Sequence, residues 1–138
     1  MGLLPVLGVW GRRNFTVLCH RVVIGAAGAI TSQDAASDSG IVATLNGVAV
    51  GQYTLALSGT GGAKGYRQFL GVYACILGPT GAGAFGAGGN DGFMRDNNVD
   101  AGTRAGTVAF QFTNNASPPV ATDVTSGYTV MFFCAVAA

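Results

Sequence analysis

The chain has 138 residues, of which 9% are charged and 49% hydrophobic, with a formal net charge of +1. A typical soluble domain is about 25% charged, so a free monomer with this surface risks association, whereas a subunit buried in an assembly does not. The length suits one domain, the charge gives no field for nucleic acid, and no apolar run approaches the ~20 residues of a membrane helix.

Residues 1–13 read as a separate segment and residues 14–138 as a single domain. The opening Met1–Gly11 lacks a positive leading region and a clear small-residue cleavage site, and Arg12 and Arg13 follow its apolar stretch. It is therefore expected to be retained rather than removed as a secretion signal. Pro5, Gly8 and Gly11 disfavour a helix. The segment is expected to be an extended apolar arm whose Leu3, Leu4, Val6, Leu7 and Trp10 dock on a partner. An edge strand packed on its own domain is the alternative.

From there the chain consists of strands separated by turn signals. Phe15–Ile24 is rich in β-formers and is interrupted by His20 and Arg21. Gly25-Ala26-Ala27-Gly28 breaks it, and Ala29–Ser32 is a short extended piece. Gln33–Gly40 is expected to be a loop, although it is the one stretch able to make a helical turn. Ile41–Leu45 and Gln52–Ser58 flank Asn46-Gly47, a pair suited to the positive φ angles of a tight hairpin. Tyr53, Leu55 and Leu57 point one way in the second of these strands, and Thr54, Ala56 and Ser58 the other.

Gln68–Leu77 is apolar on both faces, and so is Tyr128–Val136. A strand in a half-solvated sheet alternates apolar with polar residues, so such strands need cover on both sides. One small domain supplies a core for one side only. Phe69, Tyr73, Tyr128, Phe132 and Phe133 are accordingly expected in the core or in a contact between subunits. Between these strands lie a Gly/Ala-rich segment, Gly78–Gly92, and an alternating strand built on Val108, Phe110 and Phe112. A polar turn, Asn114–Thr125, leads into the last strand. The expected fold is all-β, an antiparallel, jelly-roll-like β-sandwich of about seven to eight strands behind the extended arm.

Chemistry is sparse. Gly81-Ala82-Gly83-Ala84-Phe85-Gly86 has the spacing of a dinucleotide loop, but no helical pattern or acidic ribose partner follows. Lys64 sits among glycines, yet Gly65 stands where a phosphate loop needs Ser or Thr. Asp96–Gly102 begins like a calcium loop, with Ala101 in place of the required glycine and Thr107 in place of the glutamate. No metal site is assigned. Asp91, Asp96, Asn98 and Asp100 are read first as a polar loop with a salt bridge to Arg95 or Arg104, with an irregular cation site on their clustered oxygens as the lesser alternative.

His20 is the single histidine and is expected at the sheet surface or in a subunit contact. Its neighbour Cys19 points to the opposite face, so the two make no dyad. Cys19, Cys75 and Cys134 lack metal spacing and are expected to be buried free thiols, in keeping with a reducing compartment. Without glutamate, paired-carboxylate catalysis would rest on loop aspartates. No catalytic residue and no cofactor is expected, and the chain is read as non-enzymatic.

The runs Val22–Ile30, Ser39–Leu45, Gly51-Gln52-Tyr53-Thr54-Leu55-Ala56-Leu57 and Gly106-Thr107-Val108-Ala109-Phe110-Gln111-Phe112 resemble small virion proteins of tailed bacteriophages. In these a Gly-x-Tyr-Thr-Leu strand and a Gly-Thr-Val strand recur in a compact β-sandwich. The likeness spans roughly residues 22–138 and is one of pattern rather than of a diagnostic motif. It implies a head decoration (cement) protein that clamps the major capsid protein as a homotrimer or dimer, without nucleic-acid or membrane partners. Its place would be the capsid surface of the virion, after synthesis in the host bacterial cytoplasm. A tail, fibre or receptor-binding module using Gly78–Gly92 and Asn114–Thr125, and a secreted C1q-like trimeric module, are the alternatives.

Overall fold

The structure, a computed structural model, describes residues 15–46, 49–57, 68–78, 91–99, 106–114 and 116–137. The side chains of 15, 16, 68, 69, 91, 96–99 and 137 stand outside that description. The expected arm with its docking residues, the loop carrying Lys64, residues 79–90 of the Gly/Ala-rich segment, and Asp100 also lie outside the described residues.

Among the described residues there are eight strands: β1 Phe15–Ile24, β2 Ile30–Gln33, β3 Ile41–Leu45, β4 Gln52–Leu57, β5 Gln68–Leu77, β6 Asp91–Val99, β7 Gly106–Thr113 and β8 Thr129–Ala137. They form two four-stranded antiparallel sheets, sheet A in the order β2-β1-β8-β5 and sheet B in the order β3-β4-β7-β6. The all-β sandwich expected from the alternating runs is what forms. Among the described residues no helix is long and apolar enough to cross a membrane.

The core follows from the period-2 pattern. Leu18, Val22 and Ile24 of β1 face inward with Val130, Phe132, Cys134 and Val136 of β8. They meet Ile41, Ala43, Tyr53, Leu55, Leu57, Val108, Phe110 and Phe112 from sheet B. At the centre, Phe110 and Phe132 pack edge to face across the two sheets with ring centroids 5.5 Å apart. Within sheet B, Tyr53 meets Phe112 edge to face at 5.7 Å. Edge-to-face pairs set the positive ring edge against the negative ring face, adding to the area they bury.

Three local readings need correction. Gln33–Gly40 is not all loop, because Ala36–Ser39 makes one turn of α-helix, α1, closed by Gly40 in the left-handed region at φ 72°. Asp91–Val99 is not a polar loop but strand β6, held along β7 with an irregularity between Met94 and Asp96. Pairing with the Gly106–Thr113 strand outweighs the loop preference of Asp and Asn, since strand propensity yields to cross-strand context. His20 is not at a surface; it is fully buried.

The segment after β7 is pinned against the hairpin of β3 and β4. The Gly51 N–H donates to Asp123 Oδ1 at 2.7 Å, and the Phe112 N–H donates to Gly51 O at 2.9 Å. Gly51 has φ +66°, and a Cβ there would collide with the Thr122 carbonyl. Only glycine meets both demands. Val124 is carried into the core by this contact, a position that no periodicity marks.

Candidate functional site: an apolar sheet face

His20 is the single histidine of the chain. The imidazole sits on the inner side of β1, opposite Phe132. Its Nε2 lies 2.9 Å from Gln33 Oε1 and its Nδ1 lies 2.9 Å from Ser39 Oγ. Gln33 is oriented by the backbone of β3: the Ala43 N–H donates to Oε1 at 2.8 Å, and Nε2 donates to the Ala43 carbonyl at 3.1 Å. The oxygen of Gln33 therefore faces His20, so His20 Nε2 carries a proton and donates. In that tautomer Nδ1 accepts from the Ser39 hydroxyl, whose oxygen also accepts the Ile41 N–H at 3.1 Å. Every polar atom of the imidazole is committed to joining β1, β2, α1 and β3. Burial of a polar ring demands such satisfaction, and this arrangement presents no lone pair to a substrate.

The thiols divide differently from the expectation that all three are buried. Cys134 is buried, Cys75 partly so, and Cys19 is exposed on the outer side of β1. Burial pushes the Cys134 thiol up to about 12. Desolvation and then the nearby Asp34 carboxylate raise the Cys19 thiol as well. Cys19 lines an open depression with Val17, Leu18, Asp34, Asp38 and Ser39. A raised thiol is a poor nucleophile because the thiolate does the attacking. Among the described residues no group of three or more His, Cys or Asp side chains is placed to hold a metal.

The outer face of sheet A is the more informative surface. Register sets Cys19 beside Phe133 and Phe133 beside Tyr73. The next outward-facing row is Arg21, Met131 and Cys75, and the row on the other side is Val17, Ala135 and Gly71. Tyr73 stacks on Phe133 with centroids 5.5 Å apart at 26°. Tyr73 is nevertheless 63% exposed, Leu77 50% and Val17 47%. The inner residues of β5, Val72, Ala74 and Ile76, pack against the core, so the second apolar side of this strand faces outward. The outer face of sheet B mixes small polar and apolar residues, Val42, Thr44, Thr54, Ala56, Thr107 and Ala109, with the exposed Phe93 on its β6 edge.

The residues singled out from sequence thus separate. Tyr128 and Phe132 are core; Phe133 is half-buried and lies on the outer face with the exposed Tyr73. Phe69 lies on β5 beside its irregularity, with its side chain outside the description. Gln33, Ser39, Gln111 and Asp123 have structural roles that sequence reasoning missed. Gln111, for example, is buried between the Val50 and Phe112 carbonyls, to which its Nε2 donates at 2.8 and 2.9 Å. No family model matches the chain, and no curated protein or solved structure matches it.

Proposed function

We propose that this chain is a non-enzymatic structural subunit of a phage virion, in the first place a capsid decoration protein. The observation that carries the reading is the apolar outer face of sheet A in a chain with only 9% charged residues. Such a face, if left in water on every copy, favours self-association, and contiguous exposed apolar surface marks interaction sites. A closed homo-oligomer would cover this face. The apolar segment 1–13, with Leu3, Leu4, Val6, Leu7 and Trp10, would then bridge neighbouring copies of the major capsid protein. The histidine engaged on both ring nitrogens and the raised Cys19 and Cys134 thiols support a role without chemistry.

The test is the copy number of this chain, relative to the major capsid protein, in gradient-purified particles measured by quantitative mass spectrometry. Parity or a simple fraction of it is expected for a head-lattice subunit. A few tens of copies per particle would move the protein to the tail or fibres, and complete absence would overturn the virion reading in favour of a secreted trimeric module.

A further inference from the structure

The two sheets of the sandwich end in strands β2, β5, β3 and β6, and these edges are not equally open. Strand β2 is only four residues long and is followed by the charged Asp34. On β3 the Gln33 amide occupies both the N–H and the C=O of Ala43. Strand β6 carries Asp91, Arg95 and Asp96 and is irregular between Met94 and Asp96. Short length, side-chain plugs, charges and bulges are the devices that keep edges from pairing. Strand β5 has few of them. It runs from Gln68 to Leu77 without a charged residue, and its one irregularity lies at Phe69/Gly71. From Gly71 to Leu77 it holds unbroken register with β8. Among the described residues it pairs with no other strand.

We infer that Gly71–Leu77 pairs with the same segment of a second copy, antiparallel about a two-fold axis, to make one continuous eight-stranded sheet. The identity of the occupant follows from the edges of the described strands. An edge pairs with an edge whose main-chain groups are equally available, and among the described strands that edge is β5 itself. A strand paired antiparallel with itself is self-complementary, and the absence of charge on β5 leaves no like charges opposed. With one such edge per copy among the described strands, the pairing closes at two and does not run on into a filament.

Seven paired residues alone make a contact smaller than the ~1,000 Å² of a durable interface. Side chains flanking the new seam must therefore contribute. Tyr73, Cys75 and Leu77 stand on its outer side, continuous with Phe133 and Met131. The pairing thus joins the two apolar faces into one broader surface. It deepens the assembling-subunit reading and rests on it for its setting, and it specifies a two-fold where the phage resemblance implies a homotrimer first. The solution experiment below involves no virion, so its failure and that of the capsid reading are separately visible.

The full chain, held reduced because Cys19 and Cys75 are free, is followed by sedimentation equilibrium up to roughly 100 µM. The expected mass is twice the 13.8 kDa of one chain. Tyr73→Lys with Leu77→Lys places two cations on each edge, both at exposed positions. This variant is expected to keep its circular dichroism and to raise the dimer dissociation constant at least about tenfold. Phe93→Lys on β6, also at an exposed position, is expected to leave the dimer unchanged. Hydrogen exchange separates edge pairing from stacking of the faces: alternate amides of Gly71–Leu77 should slow as protein concentration rises. A monomer across that range, a three-copy mass, or a dimer whose Gly71–Leu77 amides exchange as fast as in the diluted chain would overturn the inference.

Discussion

The two sides of the sandwich solve one problem in opposite ways. Where β2 meets β3, the main chain of Ala43 is satisfied by a side chain, Gln33, which also holds His20 and so reaches Ser39 through the imidazole. Where β5 meets β6, the β5 edge is uncharged from end to end and its outward residues are apolar. Main-chain donors and acceptors must find partners in either case. On the β2/β3 side a side-chain amide thus satisfies main-chain groups of an edge strand, whereas β5 carries no charged residue along its length.

Three experiments bear on that contrast. The core that both sides share should give the greatest change. Cys134 keeps its proton in the folded chain up to about 12, against 9.0 when unfolded, because burial disfavours the thiolate. Tyr53 is likewise raised, by burial first and then by Asp123. An unfolded chain therefore releases protons that the folded chain retains. The stability is intact below pH 9 and is lost as pH climbs from there, by about 1.4 kcal/mol per unit for the one thiol. Urea melts from about pH 8 to 11 should show this fall for the wild type and a shallower one for Cys134→Val. Equal slopes would mean that the thiol is not the group titrating. Because the loss is in the common core, both sides should open together in hydrogen exchange.

A smaller and one-sided effect is expected from Gln33→Leu. It removes the partners of the Ala43 N–H and C=O and of His20 Nε2. With water able to reach part of this edge, a loss of about 2 kcal/mol is expected in urea unfolding, with faster amide exchange confined to β2 and β3. Exchange that quickens equally along β5 would erase the distinction, since it would mean that the two sides are one cooperative unit. The least change is expected from Val42→Lys on the outer face of sheet B, where Val42 is 40% exposed. Its stability should stay within about 0.5 kcal/mol of wild type, with the oligomeric state unaltered. A change in association there would move the contact face from sheet A to sheet B.

Strand content is legible in the sequence because alternation survives without tertiary information. Tyr53, Leu55 and Leu57, and Val108, Phe110 and Phe112, are buried where the pattern puts them. The doubly apolar character of β5 is legible too, since it depends only on residue types at successive positions. The place of His20 is not, because a lone polar residue in a strand reads as solvent-facing until its partners are known. Those partners, Gln33 and Ser39, lie 13 and 19 residues away. Asp91–Val99 reads as a loop because Asp and Asn favour loops locally, whereas its pairing with β7 is a non-local gain.

Residue order alone is enough to set the fold class of this protein: many short strands whose alternating residues build an all-β sandwich. Local periodicity and composition suffice for that, because side-chain direction in a strand is set by the backbone. Which edges are closed and which is open is a matter of tertiary structure. That outcome depends on where Gln33, His20 and Ser39 come together in space, and on Tyr73 stacking on Phe133 at the outer face of sheet A.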